Sequence, residues 1–204
     1  METHTPERAQ ELLYQWTQRE SLRKHGLAVA ACTEAYGRMQ AQRLELAGEH
    51  AVEFVGRYRS AGLLHDMDYE LHPSLEEHPF AGVAALRELG WPDEVLHAIL
   101  AHADYSGTPR VSHLDKALFA CDELAGFLTA CALVKPTRSI ADVEVAGVKK
   151  KMKDKAFARA VKREDIVDGA ALLGLTVDAH VGNCLAAMQA QAQELGLAGG
   201  PPPA

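Results

Sequence analysis

The dipeptide His65-Asp66 constrains the fold of this chain more than any other feature, because it interrupts a helical stripe of apolar residues. Phe54, Tyr58 and Ala61 recur at the spacing of one helical face. At about 100° per residue, His65 falls on the same face as Phe54. An imidazole and a carboxylate would then enter the interior together, where an unpaired polar group costs free energy and an unpaired charge costs more. The two side chains must therefore be paired, either with each other or through a metal ion.

Three other predicted helices also direct a His or Asp side chain into an apolar stripe. His25 interrupts one stripe, Asp122 interrupts a second, and His102 continues a third. A single buried His–Asp pair is usually a core group that has found its hydrogen bonds. Four inward His or Asp positions on four helices favour a shared function instead, and metal binding is the function that these residue types suggest.

The segment that holds His102 also contains His97, and helical spacing separates the two. His102 lies at i+7 from Val95 and at i+3 from Ile99, so it points inward with them. His97 is rotated by about 200° from Val95, which predicts that it lies on the solvated face. Only His102 of this pair is therefore a candidate ligand.

At these positions the sequence resembles the HD-domain superfamily of metal-dependent phosphohydrolases, and within it the HDIG-type bacterial hydrolases. The resemblance extends from about Leu22 to Leu195, and the stretches Gly62–Glu70 and Leu114–Leu118 are similar to those of an uncharacterised subgroup. In that family the metal ligands occur in the order His, His-Asp, His, His and Asp. The resemblance implies the ligand set His25, His65, Asp66, His78, His102 and Asp122.

The same resemblance implies that Asp66 bridges two divalent metal ions. The remaining ligands would divide into His25, His65 and Asp122 on one ion and His78 and His102 on the other. The ligand types suit Fe, Mn, Ni, Zn or Mg without distinguishing among them, and no cysteine is placed for a thiolate site. Two such ions activate a water at neutral pH and attract an anionic substrate. The expected activity is therefore hydrolysis of a phosphate ester or anhydride in a small phosphorylated substrate such as a nucleotide.

Two residues outside the ligand set are also catalytic candidates. Asp68 would be offset by about 200° from Asp66 if the helix continues past Met67, and it either adds new chemistry or is solvated. Lys116 lies six residues before Asp122, about 240° around the helix, so it could reach only the rim of the site. The resemblance implies a phosphate-contacting Lys near this place, which makes Lys116 a candidate substrate-binding residue as well.

Departures from the family pattern restrict the function without fixing the substrate. Met67-Asp68 replaces the usual Ile-Gly, and the double His-Glu and the Gly-Tyr-Pro element of the cyclic-dinucleotide branch are absent. These departures argue against a cyclic di-GMP phosphodiesterase. Mononucleotides, dinucleoside polyphosphates, cyclic nucleotides and phosphorylated metabolites all stay open as substrates. A di-iron oxygenase with the same ligands and a non-catalytic metal-binding regulatory module are the alternative functions.

Composition predicts a soluble, cytoplasmic protein. Of its 204 residues, 48% are hydrophobic and 24% are charged, which suits one domain with a substantial core. The net charge of −7 provides no overall attraction for nucleic acid polymers or for a membrane, and we find no transmembrane run or signal peptide. The four cysteines are expected to be reduced and buried. The basic run Lys149–Lys155 is expected to be a solvated face, and a homo-oligomer stays open.

Helix signals follow one another along the whole chain and predict an all-α fold. Capping-box patterns at Ser112-x-x-Asp115 and Ser139-x-x-Asp142 mark two helix starts. The predicted helices span 7–18, 21–46, 50–66, 79–89, 92–103, 112–133, 142–150, 163–173 and 177–195. We expect a single HD-domain helical bundle with additional C-terminal helices. Its parts would be an N-terminal helix in 1–20, the metal-binding core in 21–135, a C-terminal extension of the same domain in 136–197 and a disordered tail in 198–204.

Overall fold

The computed structural model describes residues 4–200, which form ten α-helices and two short 3-10 helices. The α-helices are α1 Pro6–Trp16, α2 Glu20–Arg43, α3 Gly48–Leu64, α4 Phe80–Glu88, α5 Asp93–His102, α6 His113–Leu133, α7 Val145–Met152, α8 Arg163–Leu172, α9 Val177–Ala190 and α10 Ala192–Leu195. The 3-10 helices are Asp104–Ser106 and Ile140–Asp142. The prediction of an all-α fold is confirmed. Each predicted helix is present, and the last one is divided at Gln191 into α9 and α10.

The two predicted capping boxes have different outcomes. Ser112 accepts a hydrogen bond from the Asp115 amide, and the Asp115 carboxylate accepts one from the Ser112 amide, so α6 begins with a complete box. Ser139 instead caps the 3-10 helix Ile140–Asp142 by accepting a hydrogen bond from Ala141. The α-helix predicted from residue 142 therefore starts later, at Val145.

A single hydrophobic core runs from Ala9 on α1 to Leu197 beyond α10. α6 lies at its centre, in contact with α2, α5, α8 and α9, while α1 packs on α3. All four cysteines are buried and free, as predicted. Four of the five lysines in the run Lys149–Lys155 are exposed, and the other, Lys151, lies over the ring of Phe157. The run is therefore mostly a solvated face.

Two glycines allow α2 and α3 to approach each other closely. A Cβ atom on Gly62 would lie 2.6 Å from the Cα of Ala30, and one on Gly26 would lie 3.3 Å from the carbonyl oxygen of Leu63. The two helix backbones can therefore touch only because these side chains are absent. Gly26 follows His25 and Gly62 precedes His65 by three residues, so the close contact places both histidines at one end of the helix pair.

Residues 198–200, which the sequence assigns to a disordered tail, make backbone contacts with the rest of the chain. Ala198 forms an isolated antiparallel bridge with Ser139, and the Gly200 amide donates a hydrogen bond to the carbonyl of Thr137. These backbone contacts hold residues 198–200 beside the 3-10 helix Ile140–Asp142, because backbone polar groups are stabilised by hydrogen-bond partners. Residues 201–204 of the predicted tail lie outside the described residues.

None of the helices between residues 4 and 200 combines the length and the apolar composition that a membrane span requires. α8 and α9 meet those criteria only as a joined pair, and they are bent by 96° relative to each other. The expected cytoplasmic location stays a prediction.

We expect Gly62→Ala to destabilise the protein by about 1–3 kcal/mol, because the added methyl group would overpack the contact with Ala30. Gly147→Ala in α7 is the matched control, since nothing lies within 4 Å of its Cβ position. That control should instead stabilise the helix by up to about 1 kcal/mol. Urea unfolding of both variants measures the two free energies. Equal effects of the two substitutions would contradict the close contact.

Candidate metal centre

Six polar side chains from separate parts of the chain converge at one end of the bundle. They form two groups whose candidate ligand atoms lie within 4.8 Å of one another. The first triad is His25, His65 and Asp122, and the second is Asp66, His78 and His102. The structure thus brings together all six residues that the sequence predicts as ligands.

Asp66 belongs to the second triad but also borders the first, and it faces the histidines of each with a different oxygen. Its Oδ2 atom is 3.7 Å from Nε2 of His25 and 3.5 Å from Nε2 of His65. Its Oδ1 atom is 3.2 Å from Nε2 of His78 and 3.6 Å from Nε2 of His102. One carboxylate can therefore contribute to two coordination spheres.

The separations between ligand atoms fit a shared cation. Two atoms bound at about 2.1 Å to one ion, at angles near 90–110°, are roughly 3.0–3.4 Å apart. Nε2 of His25 is 3.0 Å and Nε2 of His65 is 3.5 Å from Oδ1 of Asp122. Nε2 of His65 is also fully buried and has no hydrogen-bond partner among the described residues. Because such an unpaired nitrogen is costly, the residues present fit a metal ion that would bind it.

In three of the four histidines, Nδ1 makes a hydrogen bond to an oxygen that only accepts. A neutral ring therefore carries its proton on Nδ1, and its Nε2 then presents a lone pair to the centre of the cluster. The three bonds are His65 to the Gly62 carbonyl (2.9 Å), His78 to Asp68 Oδ1 (2.7 Å) and His102 to the Ile99 carbonyl (2.5 Å).

The carboxylates and imidazoles shift one another's pKa. Burial lowers the pKa of His65, but the charges of Asp66 and Asp122 outweigh burial and raise it to about 9. The pKa of His78 is also raised to about 9, because Asp66 and Asp68 outweigh its burial. Burial raises the pKa of Asp66, yet the surrounding imidazoles hold it well below its usual range. The cluster is therefore an environment that favours added positive charge.

Asp68 lies elsewhere than the helical offset predicts, because α3 ends at Leu64 and the following residues form turns. Its side chain is only 1% exposed. One oxygen accepts the hydrogen bond from His78, and the other accepts one from the Gly82 amide, each at 2.7 Å. Both oxygens of Asp68 are thus bonded within the fold, and its expected contact with the reaction stays without structural support.

Lys116 is half-buried on α6 and stands apart from the two triads. It is six residues from Asp122, which corresponds to about 9 Å along the helix axis. The pKa of His113 is lowered by burial and by the charges of Arg43 and Lys116. The structure therefore connects Lys116 with His113, and its catalytic and substrate-binding roles stay predictions.

Two tyrosines near the cluster were not predicted from the sequence. Tyr69 places its ring against that of His78, with centroids 5.3 Å apart, and Tyr105 lies on the 3-10 helix after α5. Burial and the charge of Asp66 raise the pKa of Tyr105 to about 12. Both side chains are partly exposed. The sequence does contain a signal that could have identified them. Each tyrosine lies three residues after a candidate ligand, Tyr69 after Asp66 and Tyr105 after His102.

Comparison with known families supports this site. Residues 22–126 match the HD domain family, which is slightly more than half of the chain and includes all six candidate ligands. Neither a curated protein sequence nor a solved structure matches the chain significantly. The narrower HDIG-type subgroup therefore stays a prediction.

We expect His102→Ala to remove bound metal and His97→Ala to leave it unchanged. His102 is buried beside Asp66, whereas the His97 side chain is 40% exposed and is paired with Asp115. Loss of the exposed ring should alter the free energy of unfolding by no more than about 0.5–1 kcal/mol. Elemental analysis after loading with Mn²⁺ and dialysis measures the metal content of both variants. Metal loss in His97→Ala alone would show that the face of α5 is assigned incorrectly.

Proposed function

The chain belongs to the HD domain family, and from this premise we propose that it is a metal-dependent hydrolase of phosphate esters or anhydrides. Its substrate would be a small phosphorylated molecule such as a nucleotide. The position of Asp66 carries the proposal, since its two oxygens face two separate histidine pairs. When bound, two divalent cations would supply a water of lowered pKa and positive charge beside the phosphate.

The chain's own residues would hold and orient the reacting groups. His25, His65 and Asp122 would hold one cation, and His78 and His102 the other, with Asp66 common to both. The Nδ1 hydrogen bonds of His65, His78 and His102 keep these rings in fixed orientations.

Charge at the loaded centre would favour an anionic substrate. Asp66, Asp68 and Asp122 together carry three negative charges, and two divalent cations carry four positive charges. The remaining positive charge lies in a partly buried site, where electrostatic interactions are stronger than in bulk water. A phosphate oxygen is therefore a better ligand for this centre than a neutral carbonyl.

Tyr105 and Tyr69 would contact the substrate at the exposed side of the cluster. The phenol of Tyr105 is protonated at neutral pH, as tyrosines ordinarily are, so it can donate a hydrogen bond to a phosphate oxygen. Tyr69 lies against His78 and offers an apolar ring face beside the second triad. These two residues are the proposed substrate contacts of the site.

Phosphate release without oxygen tests the proposal directly. The protein loaded with Mn²⁺ would be incubated anaerobically with p-nitrophenyl phosphate, mononucleotides, dinucleoside polyphosphates and cyclic nucleotides. We expect hydrolysis of at least one of them, seen as phosphate or p-nitrophenol from a monoester, as two nucleotides from a dinucleoside polyphosphate, or as a mononucleotide from a cyclic nucleotide. Turnover only with iron and oxygen would support an oxygenase instead, and metal binding without turnover of any substrate would support a regulatory module.

We expect Asp66→Ala to abolish most of this hydrolysis, by at least about 100-fold, because supporting groups of a metal site alone contribute about 10–100-fold. It should also lower the metal content at both triads. Asp93→Ala is the control, since it removes an exposed carboxylate at the start of α5. Initial rates and metal content of both variants measure the effect. Full activity in Asp66→Ala would refute the proposed function.

A further inference from the structure

The histidines of the cluster obtain their Nδ1 acceptors in two different ways. His65 directly follows α3 and His102 is the last residue of α5, and both bond to carbonyls three residues earlier, Gly62 and Ile99. Carbonyls in the last turn of a helix have no intrahelical partner, so they are available to these rings. His78 instead precedes α4. The unpaired backbone groups at the start of a helix are N–H donors, which cannot accept a hydrogen bond from Nδ1.

Asp68 supplies the acceptor that His78 lacks. Its carboxylate is 1% exposed and accepts the Nδ1 hydrogen bond of His78 with Oδ1 at 2.7 Å. Its Oδ2 atom accepts from the amide of Gly82, the third residue of α4, also at 2.7 Å. One side chain thus orients the histidine and satisfies an unpaired amide in the first turn of α4.

We propose that Asp68 is a positioning residue that fixes the Nδ1–H tautomer and the ring orientation of His78 for metal binding. The inference rests on the proposed function, because it concerns one ligand of the same site. With the proton held on Nδ1, Nε2 of His78 faces Asp66 Oδ1 at 3.2 Å. A divalent cation then meets a lone pair rather than an N–H group.

Positioning His78 in this way requires a carboxylate at position 68 and a glycine at position 82. Asparagine has one acceptor oxygen and one donor nitrogen, so it can match His78 or Gly82 but not both. With its NH₂ group toward Nδ1, it would force the proton onto Nε2 and block the ligand. A Cβ atom on Gly82 would lie 2.9 Å from Cγ of Asp68, so the carboxylate reaches its position only beside a glycine.

The test compares Asp68→Asn with Asp115→Asn in the full chain, using Zn²⁺ as the probe. Asp115 is equally buried and also accepts two backbone amides, from Val111 and Ser112, but it bonds to none of the six candidate ligands. Competition with a chromophoric chelator gives the affinity and number of ions. Long-range ¹H–¹⁵N NMR of the zinc-loaded protein reports which nitrogen of His78 carries the proton.

We expect two Zn²⁺ ions in the wild type and in Asp115→Asn, and one ion in His78→Ala. Asp68→Asn should bind one ion normally and the other about 10–100-fold more weakly, as is typical for the loss of a group that supports a ligand. Its His78 Nδ1–H signal should be lost or strongly shifted. Gly82→Ala should weaken the same ion, which provides a second test if Asp68→Asn does not fold.

Two results would overturn the inference and leave the proposed function intact. One is two equally tight ions with an unchanged His78 tautomer in Asp68→Asn or Gly82→Ala. The other is the same loss of affinity in Asp115→Asn, which would indicate a general effect of removing a buried carboxylate. A wild-type protein that binds no Zn²⁺, Mn²⁺ or Fe²⁺ would overturn the proposed function itself.

Discussion

The backbone contact between α2 and α3 is the constraint on which the site depends. Gly62 lies against Ala30 with no side chain between them, and the two helices therefore deliver His25 and His65 with ring centroids 5.2 Å apart. Two imidazoles at this distance, next to carboxylates, gain little stability as a group on their own. Packing of the apolar faces of α2, α3 and α6 must supply the free energy that holds them together. The candidate metal centre is thus a product of helix packing, and its geometry depends on which positions lack a side chain.

Helical periodicity predicted which side chains point inward wherever a regular helix carries a candidate ligand. The same face of α5 that buries Val95 and Ile99 also buries His102, and the exposed position of His97 follows from the same angle. Periodicity failed after Leu64, where α3 ends and the spacing of about 100° per residue no longer applies. Asp68, which the sequence left as either a catalytic or a solvated side chain, is instead buried behind His78. The family resemblance, and not periodicity, identified His78. Tyr69 and Tyr105 were missed because they lie in turns and in a 3-10 helix.

His180, a buried histidine outside the cluster, shows what separates a structural imidazole from a candidate ligand. His180 on α9 is fully buried, but both of its nitrogens are bonded: Nε2 donates to the Ala120 carbonyl at 2.8 Å, and Nδ1 accepts from the Tyr36 hydroxyl at 2.6 Å. Burial lowers its pKa, which keeps the ring neutral. His65 is equally buried, yet its Nε2 has no such partner among the described residues and faces two carboxylates. The difference between the two rings lies in their hydrogen bonds, which the sequence alone does not show.

The hydrogen bond between His25 and Asp122 joins positions that are 97 residues apart. Closing a flexible loop of that length costs roughly 4 kcal/mol of chain entropy. No short segment of the protein contains enough ligands to form either triad, so the centre has no local precursor during folding. The first triad can assemble only after α2, α3 and α6 have docked, and the second only after the residues that follow α3, those that precede α4 and the end of α5 have come together. The site therefore depends on contacts of high sequence separation, and a peptide copied around His65-Asp66 would not reproduce it.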